Sequence, residues 1–113
     1  TPGAAAPGLA VAPGLAADRA AAMVAAALHA DTLILLTAVP GLMSKFPDES
    51  SLIHQLKQAD LPAARELAQG RMKKKVLGAE EALQNGVSKV IISDGRTATP
   101  ISDALAGAGT VIS

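Results

Sequence analysis

Three consecutive lysines in the stretch "GRMKKKVLG", Gly70 to Gly78, have the chemistry to bind an anion. Apolar residues recur here every three or four positions, at Met72, Val76, Ala79 and Leu83, which is typical of one face of a helix. If this helix starts near Met72, the lysines lie in its first turn. The helix dipole disfavours cations at that end, so the lysines need a further explanation.

An anion at the helix start would make this placement favourable. Backbone N–H groups after Gly70 have no helical acceptors, and together with an ammonium group they form the phosphate site typical of helix N-termini. Surface ion pairs do not explain the lysines, because Glu80 lies beyond the i+4 reach of Lys75. Two alternatives stay open: residues 61–84 form one continuous helix with the lysines in its middle, or the lysines are simply solvated.

The composition of the chain excludes several classes of function. Lysine plus arginine equals aspartate plus glutamate, at 10 each, so no net field attracts nucleic acid or an anionic membrane. The 113 residues include no cysteine, tryptophan or tyrosine, which excludes disulfides, thiolate metal sites and aromatic platforms for bases. The two histidines and scattered carboxylates have no metal-ligand spacing. Glycines and prolines interrupt the apolar N-terminal region, so we expect a cytoplasmic protein without a membrane span.

Helices and short apolar strands alternate over residues 17–113. This alternation predicts one α/β domain with a mainly parallel open sheet flanked by helices. The runs "TLILLT" and "KVIIS" are continuously apolar, as in strands buried on both faces. The predicted order is a helix over 17–31, a strand over 32–37, a polar segment over 46–56 ending in a short edge strand, a helix from Asp60 to Gly70, a helix from the lysines to "QNG", a strand over 89–93, a short helix in "PISDALAG" and a last strand in "GTVIS".

Residues 1–16 differ in character from the rest of the chain. "APGLAV" is followed directly by "APGLA", which makes a short tandem repeat with two Pro-Gly pairs. Such pairs favour turns or an extended edge, and they disfavour a regular central strand or helix. We therefore expect an irregular segment rich in proline, glycine and alanine. The repeat is consistent with an engineered origin and also with a natural linker.

Four blocks of the sequence, taken in order, resemble the C-terminal, nucleotide-binding half of the amino acid kinase family. They are "ADRAAAMVAAALHADTLILLTAVPGL", "GRMKKKVLGAEEAL", "VIISDGR" and "GAGTVI", and the resemblance covers about residues 17 to 113. It is strongest to acetylglutamate kinase and to the carrier-protein-bound aminoadipate kinase. The resemblance implies an α/β/α sandwich and transfer of the ATP γ-phosphoryl group to a substrate carboxylate in arginine or lysine biosynthesis, with Mg²⁺ accompanying the nucleotide.

The resemblance also implies roles for particular residues. Lys75 matches the lysine that contacts the transferring phosphate, and Lys73 and Lys74 are then a solvated flank. Asp18 matches an acid that helps to organise the catalytic lysines. The loop after the strand 32–37 matches a border of the nucleotide, in agreement with the rule that open α/β sheets bind ligands at strand ends, although a plain turn is the alternative. The implied cofactor-binding residues are Thr37, Val39, Pro40, Gly41, Leu42, Gly70, Met72 and Lys75.

The sequence departs from the family pattern in two places. The approach to the first helix reads "APGLAAD" where the family has an asparagine that contacts the acyl substrate, and Ala38 stands where the strand-end loop is usually polar. The family's amino half, with its glycine-rich phosphate loop and second catalytic lysine, is not among these residues. We therefore expect a truncated or engineered fragment that is inactive as a kinase alone and binds ATP weakly. The alternative is a purely structural product that binds no ligand, and exposed sheet edge or apolar surface predicts self-association in either case.

Overall fold

A computed structural model of the chain describes residues 9–12, 23, 27, 31–45, 48–68 and 71–113. The strands are β1 (Leu9–Ala12), β2 (Thr32–Thr37), β3 (Gln55–Leu56), β4 (Lys89–Asp94) and β5 (Thr110–Ile112). The helices are α1 (Leu61–Leu67), α2 (Arg71–Gln84) and α3 (Pro100–Leu105), and short 3-10 turns lie at Glu49–Ser51 and Gln58–Asp60.

The strands form one open sheet in the order β1-β2-β4-β5-β3. β1 pairs with β2, β2 with β4 and β3 with β5 in parallel, whereas β4 and β5 are antiparallel. The mainly parallel open sheet flanked by helices that the sequence predicts is thus confirmed. The apolar runs form β2 and β4, and the polar segment over 46–56 ends in β3 at a sheet edge, as predicted.

The two central strands are buried on both faces, which explains why they are continuously apolar. Alternate side chains of a strand point to opposite faces. Leu33 and Leu35 of β2 therefore pack with apolar residues of α1 and α2, while Ile34 and Leu36 pack with Ala104 of α3. Each leucine or isoleucine that is fully buried in this way contributes about 2 kcal/mol to stability.

α1 and α2 are separate helices. Ala68 follows α1 with an extended backbone, at φ −81° and ψ 142°, and this conformation ends the helix. The alternative of one continuous helix over 61–84 is therefore wrong, and the three lysines lie near the start of α2. Asp60 occupies the N-cap position of α1 as predicted, although its side chain makes no capping hydrogen bond.

α2 ends at "QNG", as the sequence predicts, in a Schellman arrangement. Gly86 has a φ of +107°, a conformation that side chains with a Cβ atom rarely adopt. This conformation directs the N–H of Gly86 to the carbonyl of Leu83 and the N–H of Val87 to the carbonyl of Ala82. The same arrangement ends α3 at Gly107.

β1 is an extended strand at the outer position of the described sheet, one of the structures favoured by the Pro-Gly pairs, within a segment that was expected to be irregular. Leu9–Ala12 forms a parallel edge strand, with Leu9 opposite Thr32. The two Pro-Gly pairs flank these four residues in the sequence and do not interrupt them, so proline removes no hydrogen bond from the strand itself. The rest of residues 1–16 and nearly all of the helix predicted over 17–31 lie outside the described residues.

Gly109 brings the start of β5 close to β4. A Cβ atom at this position would lie 2.1 Å from the carbonyl oxygen of Ile92 and 2.8 Å from the Cα of Ser93. Both neighbours belong to the backbone of a central strand and cannot move aside cheaply. Only glycine therefore permits the antiparallel pairing in which Thr110 lies opposite Ile92.

We predict that Gly109→Ala destabilises the fold far more than Gly107→Ala. Alanine at Gly107 meets no atom within 4 Å and costs about 1 kcal/mol through its positive φ. Alanine at Gly109 collides with β4 and should cost more than about 3 kcal/mol. Urea unfolding of the two variants measures this difference, and equal losses would contradict the close approach.

Candidate functional site

The carboxyl ends of β1, β2 and β4 lie at one edge of the sheet, because the three strands are parallel. Thr37, the last residue of β2, is directly opposite Asp94, the last residue of β4. The N–H of Gly95 donates to the carbonyl of Thr37 over 2.8 Å, which joins the two loops that follow these strands. This is the edge where open α/β sheets bind ligands, and we call it the carboxyl edge.

The start of α2 lies toward the same edge. Only residues 85–88 join α2 to β4, so the helix runs antiparallel to the strand and packs over β4 and β2. Its first turn has backbone N–H groups without acceptors inside the helix and the positive end of the helix dipole, and it is therefore directed to the carboxyl ends of these strands. The topology thus directs the lysine stretch to the edge at which the loop Thr37 to Leu42 begins.

The three lysines of α2 have different environments. Lys73 and Lys74 are exposed, as a solvated flank requires, whereas the side chain of Lys75 is only 2% exposed. Lys75 lies beside Val76 and Ala79 on the buried face of the helix. A buried ammonium group is tolerated when it has polar or charged partners, and Lys75 is not without one. The catalytic role that the sequence assigns to Lys75 stays a prediction.

The loop after β2 is exposed at its start and buried at its end. Ala38 is exposed, Val39 and Pro40 are half-buried, and Gly41 and Leu42 are buried. A Cβ atom on Gly41 would lie 2.8 Å from the side-chain oxygen of Thr110, so the loop packs directly against β5. The loop therefore has a fixed end at Leu42 and an accessible end near Thr37.

The hydroxyl of Thr110 holds the fixed end of this loop. Thr110 is fully buried, and its Oγ1 accepts a hydrogen bond from the N–H of Leu42 over 3.0 Å and donates one to the carbonyl of Ile53. The N–H of Ile53 donates in turn to the carbonyl of Leu42 over 2.8 Å. We call this closed set of three hydrogen bonds the Thr110 clamp.

The turn after β4 contains an ordered ion pair at the carboxyl edge. Asp94 accepts hydrogen bonds from the backbone N–H of Arg96 at 2.8 Å, from its Nε at 3.0 Å and from its Nη2 at 2.9 Å. The side-chain hydrogen bond from Arg96 is the main reason that the pKa of Asp94 lies below its ordinary value. Because this pKa is lowered in the folded state, the pair stabilises the fold above the unfolded pKa, and this stabilisation is lost as the pH falls through the lowered value.

The remaining predicted site residues have the following places. Met72 is half-buried on α2, and Thr37 is half-buried at the end of β2. Asp18 and Gly70 lie outside the described residues. The structure therefore directs Thr37, the loop after it and the start of α2 to the carboxyl edge, and the roles assigned to these residues stay predictions.

Among the residues that the structure describes, no three histidine, cysteine, aspartate or glutamate side chains are grouped so that they could hold a metal ion. Within the same part of the chain, no helix has both the length and the apolar character needed to cross a membrane.

Asp94, Arg96 and Thr110 were not among the residues that the sequence assigned to a site. Asp94 and Arg96 enter the sequence analysis only through the block "VIISDGR", and Thr110 only through the block "GAGTVI" and the last strand. A signal for the first two was present, because charged residues directly after a buried parallel strand lie at the carboxyl edge by the rule that selected Thr37 to Leu42. The contacts of Thr110 have no comparable signal, since they depend on how β5 packs.

The fold is that of an α/β protein with an open, mainly parallel sheet, and comparison with known proteins identifies the family. The chain belongs to the amino acid kinase family, whose model matches residues 3–94. This match confirms the family that the sequence blocks resemble, and it extends into the repeat region before residue 17.

Curated relatives include aminoadipate and acetylglutamate kinases. LysW-aminoadipate kinase of Deinococcus radiodurans is 56% identical over 96 residues, which cover 85% of this chain and 33% of the relative. The same enzyme of Thermus thermophilus is 44% identical over 97 residues, covering 84% and 36%. Acetylglutamate kinase of Clostridioides difficile is 42% identical over 100 residues, covering 84% and 35%. The chain thus spans about a third of the length of these relatives.

Solved structures agree with the family. N-acetylglutamate synthase from Neisseria gonorrhoeae, complexed with coenzyme A and N-acetyl-glutamate, superposes with a TM-score of 0.75 at 30% identity, covering 85% of this chain and 23% of that one. Carbamate kinase from Giardia lamblia, bound to AMP-PNP, superposes with a TM-score of 0.69 at 34% identity, covering 84% and 31%.

We predict that Thr110→Val destabilises the protein by about 2 to 4 kcal/mol, because it leaves the N–H of Leu42 and the carbonyl of Ile53 without a hydroxyl partner in a buried site. Valine matches the shape of threonine, so packing is kept. Thr110→Ser is the control, since it keeps the hydroxyl and should recover most of the loss. Chemical denaturation compares the three proteins, and a valine variant as stable as the serine variant would contradict the clamp.

Proposed function

We propose that this chain forms the ATP-binding part of a carboxylate kinase of the acetylglutamate and aminoadipate kinase group. The observation that carries the proposal is the position of Lys75, buried on α2 near the helix start that is directed to the carboxyl edge. Family membership supports it, as do relatives named LysW-aminoadipate kinase and acetylglutamate kinase. The similar carbamate kinase that was solved with AMP-PNP bound supports a nucleoside triphosphate as the ligand.

The proposed reaction transfers the γ-phosphoryl group of ATP to a carboxylate. A carboxylate oxygen of the substrate forms a bond to the γ-phosphorus while the bond from that phosphorus to the oxygen bridging the β-phosphate breaks. The products are an acyl phosphate and ADP. Such transfer depends on positioning and on neutralisation of charge, which are contributions that a lysine and a helix N-terminus can make.

The burial of Lys75 is important for this chemistry. A charge that is shielded from water interacts more strongly with a phosphate than a solvated charge does, and it needs little reorganisation when the phosphate arrives. Lys73 and Lys74 are exposed, so water and salt screen them. The proposal therefore assigns the phosphate contact to Lys75, and it assigns the organisation of the lysine charges to Asp18, which matches the family's acid.

The nucleotide itself is proposed to bind along the carboxyl edge. Its binding residues are the members of the loop after β2 and the segment before Lys75: Thr37, Val39, Pro40, Gly41, Leu42, Gly70 and Met72. Mg²⁺ is expected to accompany the phosphates, since it prefers phosphate oxygens and water to all-protein cages.

We further propose that these 113 residues bind ATP weakly and transfer no phosphoryl group alone. Ala38 is exposed where the family's loop is usually polar, and the chain spans about a third of the relatives' length. The alternative of a purely structural product is not favoured, because identity to known kinases reaches 56% over 85% of the chain.

Self-association stays a prediction. In the described part of the sheet, β1 and β3 are the outer strands, and Ile101 and Leu105 of α3 are 40% and 56% exposed. Unpaired strand edges and exposed apolar side chains favour contacts between copies. Light scattering over a range of protein concentrations should show a mass that rises with concentration, and a constant monomer mass would contradict this prediction.

Replacing Lys75 tests the proposed nucleotide site. We expect the unmodified chain to bind ATP saturably at low-millimolar concentration, and Lys75→Met to weaken binding by about tenfold, because it removes one charge-assisted phosphate contact. Methionine keeps the apolar stem, so the buried face of α2 stays packed. Ligand-observed NMR titration measures the affinities, and an assay for ADP in the presence of N-acetylglutamate should detect no transfer.

Lys73→Met and Lys74→Met are the matched controls for this experiment. Both side chains are exposed, so we expect changes below about twofold at physiological salt. Absence of saturable ATP binding by the unmodified chain would overturn the proposed function. Equal losses in all three variants would overturn the particular role of Lys75.

A further inference from the structure

Arg96 lies beside the loop that is proposed to border the nucleotide. Arg96 lies two residues after Asp94, the last residue of β4. Asp94 binds Arg96 and is directly opposite Thr37 in the sheet. The hydrogen bond from Gly95 to the carbonyl of Thr37 holds the turn against the end of β2. The guanidinium group is therefore anchored at the carboxyl edge, next to the accessible end of the loop that begins at Thr37.

Asp94 also fixes the orientation of this guanidinium group. Nε and Nη2 of Arg96 donate to the two carboxylate oxygens of Asp94 at 3.0 and 2.9 Å, in the fork geometry of a bidentate pair. The backbone N–H of Arg96 donates to the same carboxylate at 2.8 Å. An arginine held in this way loses little side-chain entropy when it contacts a ligand.

The same side chain remains accessible. The side chain of Arg96 is 62% exposed, whereas that of Asp94 is 20% exposed. A guanidinium group has five N–H donors in one plane, and Asp94 engages its Nε and Nη2 side. Planar donors of this kind match the oxygens of a phosphate group. Arg65, in contrast, pairs with Glu80 between α1 and α2.

We propose that Arg96 contacts the phosphate chain of the nucleotide and that Asp94 is the residue that positions it. This inference rests on the proposed function and adds a second cationic group to the proposed nucleotide site. The lysine stretch lies in the helix before β4, and Arg96 lies in the turn after β4. Arg96 acts from the solvent side of the carboxyl edge, while Lys75 acts from the buried face of α2.

The test compares ATP, ADP and adenosine as ligands of the full chain. Arg96→Ala should raise the Kd for ATP and ADP by about tenfold and leave the Kd for adenosine unchanged, since adenosine has no phosphate. Arg96→Lys keeps the charge but loses the fork on Asp94, so it should recover only part of the affinity. Asp94→Asn should weaken ATP binding in the same direction, because the arginine is no longer held. Arg65→Ala is the matched control and should leave all three Kd values unchanged.

The outcomes separate this inference from the proposed function. If the unmodified chain binds none of the three ligands, both are overturned. If it binds ATP and Lys75→Met weakens that binding while Arg96→Ala does not, only the role of Arg96 is overturned. If Arg96→Ala weakens the binding of adenosine and ATP equally, the role of Arg96 is also overturned. The arginine would then affect the folding of the carboxyl edge or the binding of the adenine base, and not the binding of the phosphates.

Discussion

The Thr110 clamp is the contact on which the geometry of the carboxyl edge depends. One buried hydroxyl joins segments 68 and 57 residues away in sequence, at Leu42 and Ile53. Without this hydroxyl, the sheet would still hold the loop after β2 at Thr37, but the N–H of Leu42 at the other end of the loop would lose its hydrogen bond. A loop that is anchored at both ends presents the same surface to each ligand molecule, and this reduces the entropy lost on binding.

The clamp exists because β5 approaches β4 closely and in the antiparallel direction. Gly109 has no side chain, so the chain reaches the backbone of Ile92 and Ser93 and places Thr110 beneath the loop after β2. If a larger residue replaced Gly109, the chain at this position would lie farther from β4, and the hydroxyl of Thr110 would not reach Leu42. The packing of one glycine thus determines the position of a hydrogen bond, and the hydrogen bond determines the position of a loop at the proposed site.

The sequence predicted those parts of the fold that depend on local patterns. β2 and β4 follow from uninterrupted apolar runs, and the end of α2 follows from Asn85 and Gly86. An extended edge was one of the two structures that the Pro-Gly pairs favoured, but the four residues of β1 become a regular strand only by pairing with β2. The Asp94 to Arg96 pair and the Thr110 clamp also depend on register and on contacts between distant segments, and the proposed roles of Asp18 and Gly70 concern residues outside the described ones.

Lys75 and Arg96 illustrate two ways in which a protein can present a cation to an anion. A buried ammonium group gains electrostatic strength from the low dielectric around it, but the fold must supply partners that offset its desolvation. An exposed guanidinium group loses little hydration. A carboxylate partner fixes the orientation of this group, whereas water alone would leave it free to rotate. The first type lies on the buried face of α2, whose start is directed to the carboxyl edge, and the second lies in the turn after β4. A phosphate chain bound between Lys75 and Arg96 would have a positively charged group on each side. The net charge of the Asp94 and Arg96 pair is zero, so this pair can contribute to binding by the fixed orientation of its N–H donors and not by its net charge.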